Sequence, residues 1–410
     1  RWQISMTSGK TRCSIQDLAL KNKRVLIRAD LNVPLAEGPS VADDTRILAS
    51  LPTIQHCLAQ GAAVIVMSHL GRPKGKVVDS LRMAPVAKQL EARLGKPVIN
   101  VKDCVGPEAQ AAASNLKPGQ VLLLENLRFH PEEEANDTVF AKALAKLADG
   151  YINDAFGTAH RAHASTEGVA HHLPSVPGFL IEKEVNALDQ VTSNPNRPYW
   201  LILGGAKVSD KIQLIDNLID KVDGILIGGG MQYTFFKAQG VPIGLSILEE
   251  AHCQTALDLL EKAKQKNVQM LLPLDHVVAD KVEKGASHKP TEKPGVPDQW
   301  EGVDIGPKTV ARYKEVLQEA KTVLWNGPLG VCEIPPFDRG TRAIADALVK
   351  LDTTKIIGGG DTAAAIKRFG LVDQMTHVST GGGASLEYLE GKQLPGIAVL
   401  GNKNSCGACS

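Results

Sequence analysis

A short β-rich run, a polar loop and an amphipathic segment follow one another repeatedly along this chain, and that rhythm restricts the fold more than any other feature. In the first half the runs are residues 25–27, 63–67, 121–124 and 150–152. Between them Leu51, Ile54 and Leu58 fall at helical spacing, as do the apolar residues of 140–147. Strands alternating with helices predict α/β architecture: parallel, doubly wound, Rossmann-like sheets with helices on both faces. At 410 residues the chain exceeds what one core usually serves, so two domains are expected, with a ligand site in the cleft between them. Residues 181–188 read as a joining helix, followed by Ser193-Asn194-Pro195-Asn196-Arg197-Pro198, and the boundary is placed there, as 1–186 and 187–392.

The loops after the runs differ between the halves. The first half carries Arg28-Ala29-Asp30-Leu31-Asn32-Val33-Pro34, Ser68-His69-Leu70-Gly71-Arg72-Pro73, Glu125-Asn126-Leu127-Arg128-Phe129-His130, and 153–161 with His160 and Arg161. In doubly wound sheets such loops gather at one edge, so arginine and histidine converge there. In the second half glycine takes over: Gly204-Gly205-Ala206-Lys207, Gly228-Gly229-Gly230, Asn326-Gly327-Pro328, Gly358-Gly359-Gly360-Asp361-Thr362 and Gly381-Gly382-Gly383. Bare backbone lets a phosphate approach closely, and a following helix aims its N–H groups at it. One glycine triplet is an ordinary turn, and one arginine an ordinary surface residue; three triplets and four cationic loops after successive runs point to a ligand.

With 46 Lys+Arg against 45 Asp+Glu, no global field exists for nucleic acid or an anionic membrane, so any anion site is local. No stretch is apolar enough to span a bilayer. Seven scattered cysteines predict reduced thiols in an intracellular compartment, and no zinc motif. Ser8-Gly9-Lys10-Thr11 is a false Walker loop, since Ile4 holds the first glycine's place. No cluster completes G-x-G-x-x-G, which disfavours a nicotinamide-dependent dehydrogenase. Asp361, directly after three glycines, is suited to hold Mg²⁺ beside phosphates. Lys207 and Lys211, four apart, would share a helix face toward the same phosphates.

Read in order, 28–34, 68–73, 123–129, 153–165, 204–208, 325–328 and 358–362 resemble the phosphoglycerate kinase family, over roughly residues 20–400. The resemblance implies reversible phosphoryl transfer between 1,3-bisphosphoglycerate and Mg-ADP, giving 3-phosphoglycerate and Mg-ATP. It implies a substrate wall of Asp30, Asn32, Arg46, His69, Arg72, Arg128 and Arg161. It implies a nucleotide wall of Gly205, Lys211, Gly229, Gly302, Asn326, Glu333, Gly359, Gly360, Asp361 and Thr362, with Asp361 on the metal and Glu333 at the ribose. Arg46 and Lys207, with the backbone of Gly360 and Gly383, would stabilise the group in transfer. Also implied are hinge bending at the joining helix, return of 393–410 to the first domain, and action as a monomer on small molecules.

His130, His160 and His163 are read as structural or rim residues, and His171-His172 as surface. Cys332 replaces the more usual phenylalanine, leaving its packing open. Cys406 and Cys409 read as idle thiols or a redox pair. The first 17 residues are faintly transit-like and the 28–31 variant resembles bacterial and plastid forms, so cytoplasm is expected with plastid stroma as the alternative. Lys281 to Asp298 is expected to be a surface excursion with little regular structure.

Overall fold

The computed structural model describes residues 14–38 and 40–401. They divide into two compact units: residues through Val185 together with those from Gln393 onward, and Asn186–Lys392. Cys406, Cys409 and the false Walker loop lie outside the described residues.

In the first unit β1 (Arg24–Ala29), β2 (Ala63–Met67), β3 (Val98–Asn100), β4 (Val121–Leu123), β5 (Gly150–Asp154) and β6 (Ser175–Pro177) form one parallel sheet in the order β3-β4-β2-β1-β5-β6. The pleat sorts its apolar side chains onto two faces. Leu26, Ile65 and Leu122 enter one core, and Val25, Ile27, Val64, Val66 and Ile152 the other. Both cores are covered by helices, which is why the strands read as near-continuous apolar runs. The chain order reverses direction at β1 and β5, so the loops leaving these strands flank the natural crevice.

In the second unit β7 (Tyr199–Leu203), β8 (Gly224–Ile227) and β9 (Gln269–Leu271) are followed by a separate antiparallel sheet, β10 (His276–Ala279), β11 (His288–Pro290) and β12 (Glu301–Ile305). β13 (Thr322–Asn326), β14 (Thr354–Gly358) and β15 (His377–Val378) then complete a parallel sheet ordered β15-β14-β13-β7-β8-β9. Here the reversal lies between β7 and β13.

Residues 281–298 are mostly exposed with little regular structure, as expected, apart from the three-residue strand β11. β11 pairs with β10, and Lys289 Nζ lies 4.3 Å from the centre of the Trp300 ring. His-Lys-Pro carries no apolar alternation, so its strand state rests on backbone pairing alone. Cys332 is buried among Leu329, Ile344 and Leu348, and burial pushes its thiol up to about 11, so it serves as a small apolar core residue.

The β7–β13 junction is tight. Gly204 N–H donates to the Asn326 carbonyl at 3.1 Å and Gly205 N–H to the Pro328 carbonyl at 2.9 Å. A Cβ on Gly204 would lie 2.0 Å from the Pro328 carbonyl oxygen and 2.7 Å from that of Gly327. Neither backbone atom can rotate away, so Gly204→Ala is expected to destabilise the second unit by about 3 kcal/mol or more. Gly295→Ala, whose Cβ meets nothing closer than 3.9 Å, is expected to be near neutral. Urea unfolding followed by tryptophan fluorescence measures both.

Candidate functional site

At the β1 and β5 ends of the first sheet, short side chains tie the loops together and arginines crowd above them. Asp30 follows β1, and its Oδ2 accepts from Arg46 Nη1 at 2.7 Å; Arg46 lies in the first turn of the helix Thr45–Ala59. Asn32 Oδ1 accepts from the Gly71 N–H at 2.8 Å, and Arg128 Nη1 donates to the Gly71 carbonyl at 3.1 Å. Three loops are thus fastened at Gly71, whose φ of +62° suits glycine. His69 is buried and faces Arg28. Arg72 and Arg161 are exposed and make no ion pair among the described residues.

The positive charge here is poorly balanced. Burial lowers the Arg128 pKa; Glu134, 3.6 Å from its Nε, opposes this, while Arg28 and Arg161 add to it. Burial, then Arg28, Arg128 and Arg46, hold His69 well below the usual imidazole range. Burial, then Arg128, Arg28 and Arg161, bring His163 down to about 4. Groups that depress one another in this way gain when an anion enters among them.

These imidazoles make a pH prediction. Between about pH 6.5 and 4 the unfolded chain takes up protons that folded His69 and His163 refuse, so stability is lost on acidification, by about 3 kcal/mol for His163. Asp154 opposes them: burial raises it to about 6, so the folded state holds its proton longer than the unfolded one between about pH 4 and 6. Glu133 and Glu182, also raised by burial, act in the same direction as Asp154. The imidazole contribution is therefore read by difference: between pH 7.5 and pH 5 the urea midpoint of the first unit is expected to fall less, or rise more, in His163→Gln than in the unsubstituted protein.

At the β7–β13 junction the second unit offers bare backbone. A Cβ on Gly229, at φ +64°, would lie 2.5 Å from Gly205 N. Lys211 is buried and its Nζ donates to Asn326 Oδ1. Burial lowers its pKa, while Asp210, Asp361 and Glu390 raise it. The Asn326 Nδ2 is buried without a hydrogen-bond partner among the described residues, and a Cβ on Gly359 would lie 3.1 Å from it. Gly359, at φ +90°, caps the helix Gly360–Arg368, whose first turn holds Asp361 exposed and Thr362 buried. Thr362 Oγ1 accepts the Gly327 N–H at 2.7 Å.

Lys207 and Lys211 do not share a helix face. The helix begins only at Ile212, and both lysines lie in the preceding turn, Lys207 exposed and Lys211 buried. Ser209 delays the helix by binding Glu249 through both N–H (3.1 Å) and Oγ (2.6 Å). Gly302 lies on β12, where a Cβ would lie 1.8 Å from Tyr233 Oη. Glu333 is exposed, and Gly383 opens the helix Gly383–Leu389. None of these three bonds to Lys211 or Asn326 among the described residues.

The Asp361 side chain makes no hydrogen bond or ion pair among the described residues. A lone exposed carboxylate beside glycine backbone fits Mg²⁺, which keeps several waters and takes few protein ligands. The one set of three metal-competent side chains among the described residues is Asp103, Cys104 and His130. There His130 Nε2 lies 2.7 Å from Asp103 Oδ1, and burial drives the thiol pKa well up, so a hydrogen-bonded pair rests on a neutral thiol. Sequence reading missed Arg28, Ser165 and Glu133, which form a hydrogen-bonded chain that reaches His69 through Arg28. Arg28 alone had a signal, as a charge inside an otherwise apolar run.

A family model described as phosphoglycerate kinase matches residues 15–392. The phosphoglycerate kinase of Moorella thermoacetica is 56% identical over 390 residues, covering 95% of this chain and 99% of the relative. That of Pseudothermotoga lettingae is 53% identical over 391 residues, covering 95% and 98%. Among solved structures, phosphoglycerate kinase from Coxiella burnetii has a TM-score of 0.87 at 45% identity, covering 95% of this chain and 98% of that one. The enzyme from Pyrococcus horikoshii has a TM-score of 0.77 at 32% identity, covering 94% and 98%. Two parallel sheets with cationic loops on one and glycine loops on the other, matched over nearly the whole length by these relatives, establish that the chain belongs to the phosphoglycerate kinase family.

Proposed function

We propose that this enzyme transfers a phosphoryl group reversibly between 1,3-bisphosphoglycerate and Mg-ADP, with the two ligands held by different units. The observation that carries the assignment is the contrast between the sheet edges: crowded arginines on the first, of which Arg72 and Arg161 have no ion pair among the described residues, and bare peptide with the Asn326 amide left over on the second. Arg46, Arg72, Arg128 and Arg161 suit the phosphate and carboxylate of 3-phosphoglycerate, with Asp30 and Asn32 orienting it and His69 beside them. Gly205, Gly229, Lys211, Asn326, Gly359 and Thr362 line the phosphate cradle, and Gly302 and Glu333 lie toward the nucleoside.

Asp361 would hold Mg²⁺, which would supply positive charge to the phosphates of the nucleotide. The carboxylate of 3-phosphoglycerate attacks the γ-phosphorus, its bond to the ADP oxygen breaks, and ADP leaves. Carboxylic acids of this kind ionise at about pH 4, so the nucleophile already carries its charge at neutral pH and no general base is needed. Arg46 and Lys207, with N–H groups of Gly360 and Gly383, stabilise charge on the equatorial oxygens. Reacting atoms must come within about 3.5 Å, and bending at the helix Phe179–Thr192 would supply that approach and exclude water.

The bacterial relatives fit a cytoplasmic setting, with plastid stroma as the alternative. No described helix is long and apolar enough to cross a membrane. The test is a coupled assay of ATP-dependent phosphorylation of 3-phosphoglycerate. Turnover that requires both substrates and Mg²⁺ is expected, and a folded protein without it overturns the assignment.

A further inference from the structure

Arg28 lies on β1 and is fully buried, yet each arm of its guanidinium has a partner. Nε donates to Ser165 Oγ at 2.8 Å, Nη1 to the Ala29 carbonyl, and Nη2 lies 3.1 Å from His69 Nδ1. A guanidinium has no acceptor. His69 Nδ1 must therefore accept, and the proton of a neutral ring is left on Nε2, which has no protein partner among the described residues. The other end of the chain is equally directional. Ser165 Oγ, having accepted from Arg28, turns its own proton to Glu133 Oε1, while Ser165 N–H donates to Glu133 Oε2 at 2.9 Å. Glu133 is 1% exposed, so a buried carboxylate and a buried guanidinium are joined through one hydroxyl. Ala164 N–H donates to the Glu133 carbonyl at 2.9 Å, fastening the same loop.

We propose that Glu133, Ser165 and Arg28 are positioning residues that lock His69 as the neutral Nε2–H tautomer, so that it offers a hydrogen-bond donor to an anionic oxygen of bound phosphoglycerate. The donor role rests on the reading that the first sheet's edge takes this ligand; the lock itself does not. In a neutral ring the bond made at one nitrogen fixes the proton on the other, and here Arg28 occupies Nδ1. Burial first, and then the surrounding Arg28, Arg128 and Arg46 with His163, keep the ring uncharged. Its donor is thus available across the physiological range without adding another charge to the cluster.

The test uses the full chain labelled with ¹⁵N-histidine, the His69 signals being those missing in His69→Gln. Expected are a pyrrole-like Nε2 and a pyridine-like Nδ1 from pH 6 to 8, with Nε2 shifting when 3-phosphoglycerate is added. Ser165→Ala and Glu133→Gln are expected to mix or reverse the tautomer. They should raise the KM for 3-phosphoglycerate about tenfold, one charge-assisted hydrogen bond's worth, with the KM for ATP unchanged. A protonated Nδ1 in the unsubstituted protein overturns the lock, as do variants that change neither tautomer nor KM. A correct tautomer whose signal ignores saturating 3-phosphoglycerate overturns the donor role and the assignment of this ligand to the first unit, while the lock stands.

Discussion

Arg46→Ala is expected to fold normally and to lose roughly 10²- to 10³-fold in kcat, the usual effect of removing one donor aimed at developing charge. Its contact with Asp30 is 2.7 Å long, but the arginine side chain is 43% exposed, so the pair contributes little to stability. That separation makes the experiment clean: unfolding should hardly change while turnover collapses. Arg46→Lys is expected to recover only part of the rate, because an ammonium replaces a planar fork by a point charge. Steady-state rates in both directions, compared with KM for each substrate, check this. A full rate in folded Arg46→Ala removes the residue from the transfer step.

Asp361→Ala is expected to reduce kcat/KM for the Mg-nucleotide roughly 10²-fold at limiting Mg²⁺ and to raise the metal concentration needed for half-maximal rate. The residue is exposed in the first turn of its helix, where losing an acid costs stability at most about 1 kcal/mol. Nucleotide titrations without metal should change much less than those with it. An unaltered Mg²⁺ dependence rules out the carboxylate as the ligand.

The parallel sheets were legible because both faces of their central strands are buried, so apolar runs such as Ala63–Met67 stand out without needing alternation. The edge loops were legible because cations or glycines directly after such runs have little structural reason to be there. What escaped had no local pattern. The Lys207–Lys211 spacing looks helical, and only Glu249, forty residues on and bonding Ser209, shows that the turn stays open. The strand at His288–Pro290 exists through its partner β10. Glu133 sits in an acidic run, Glu132-Glu133-Glu134, that reads as solvated surface; folding buries the middle member alone. Glu133 and Ser165 are thirty-two positions apart, a distance over which sequence carries no sign of pairing.

Residues 393–401 lie with the first unit although the whole second unit precedes them in the chain. Asn153 Nδ2 donates to the Gly396 carbonyl at 2.9 Å, and Gly401 N–H donates to the Ser175 carbonyl at 2.9 Å. On the ribosome, where nascent domains usually mature in order of emergence, this arrangement reverses the expected sequence of completion. The earlier-made unit waits, unfinished at the β5–β6 margin, until its later-made neighbour has been translated. A nascent chain arrested before Gly396 should therefore protect Asn186–Lys392 from protease while the leading half stays vulnerable.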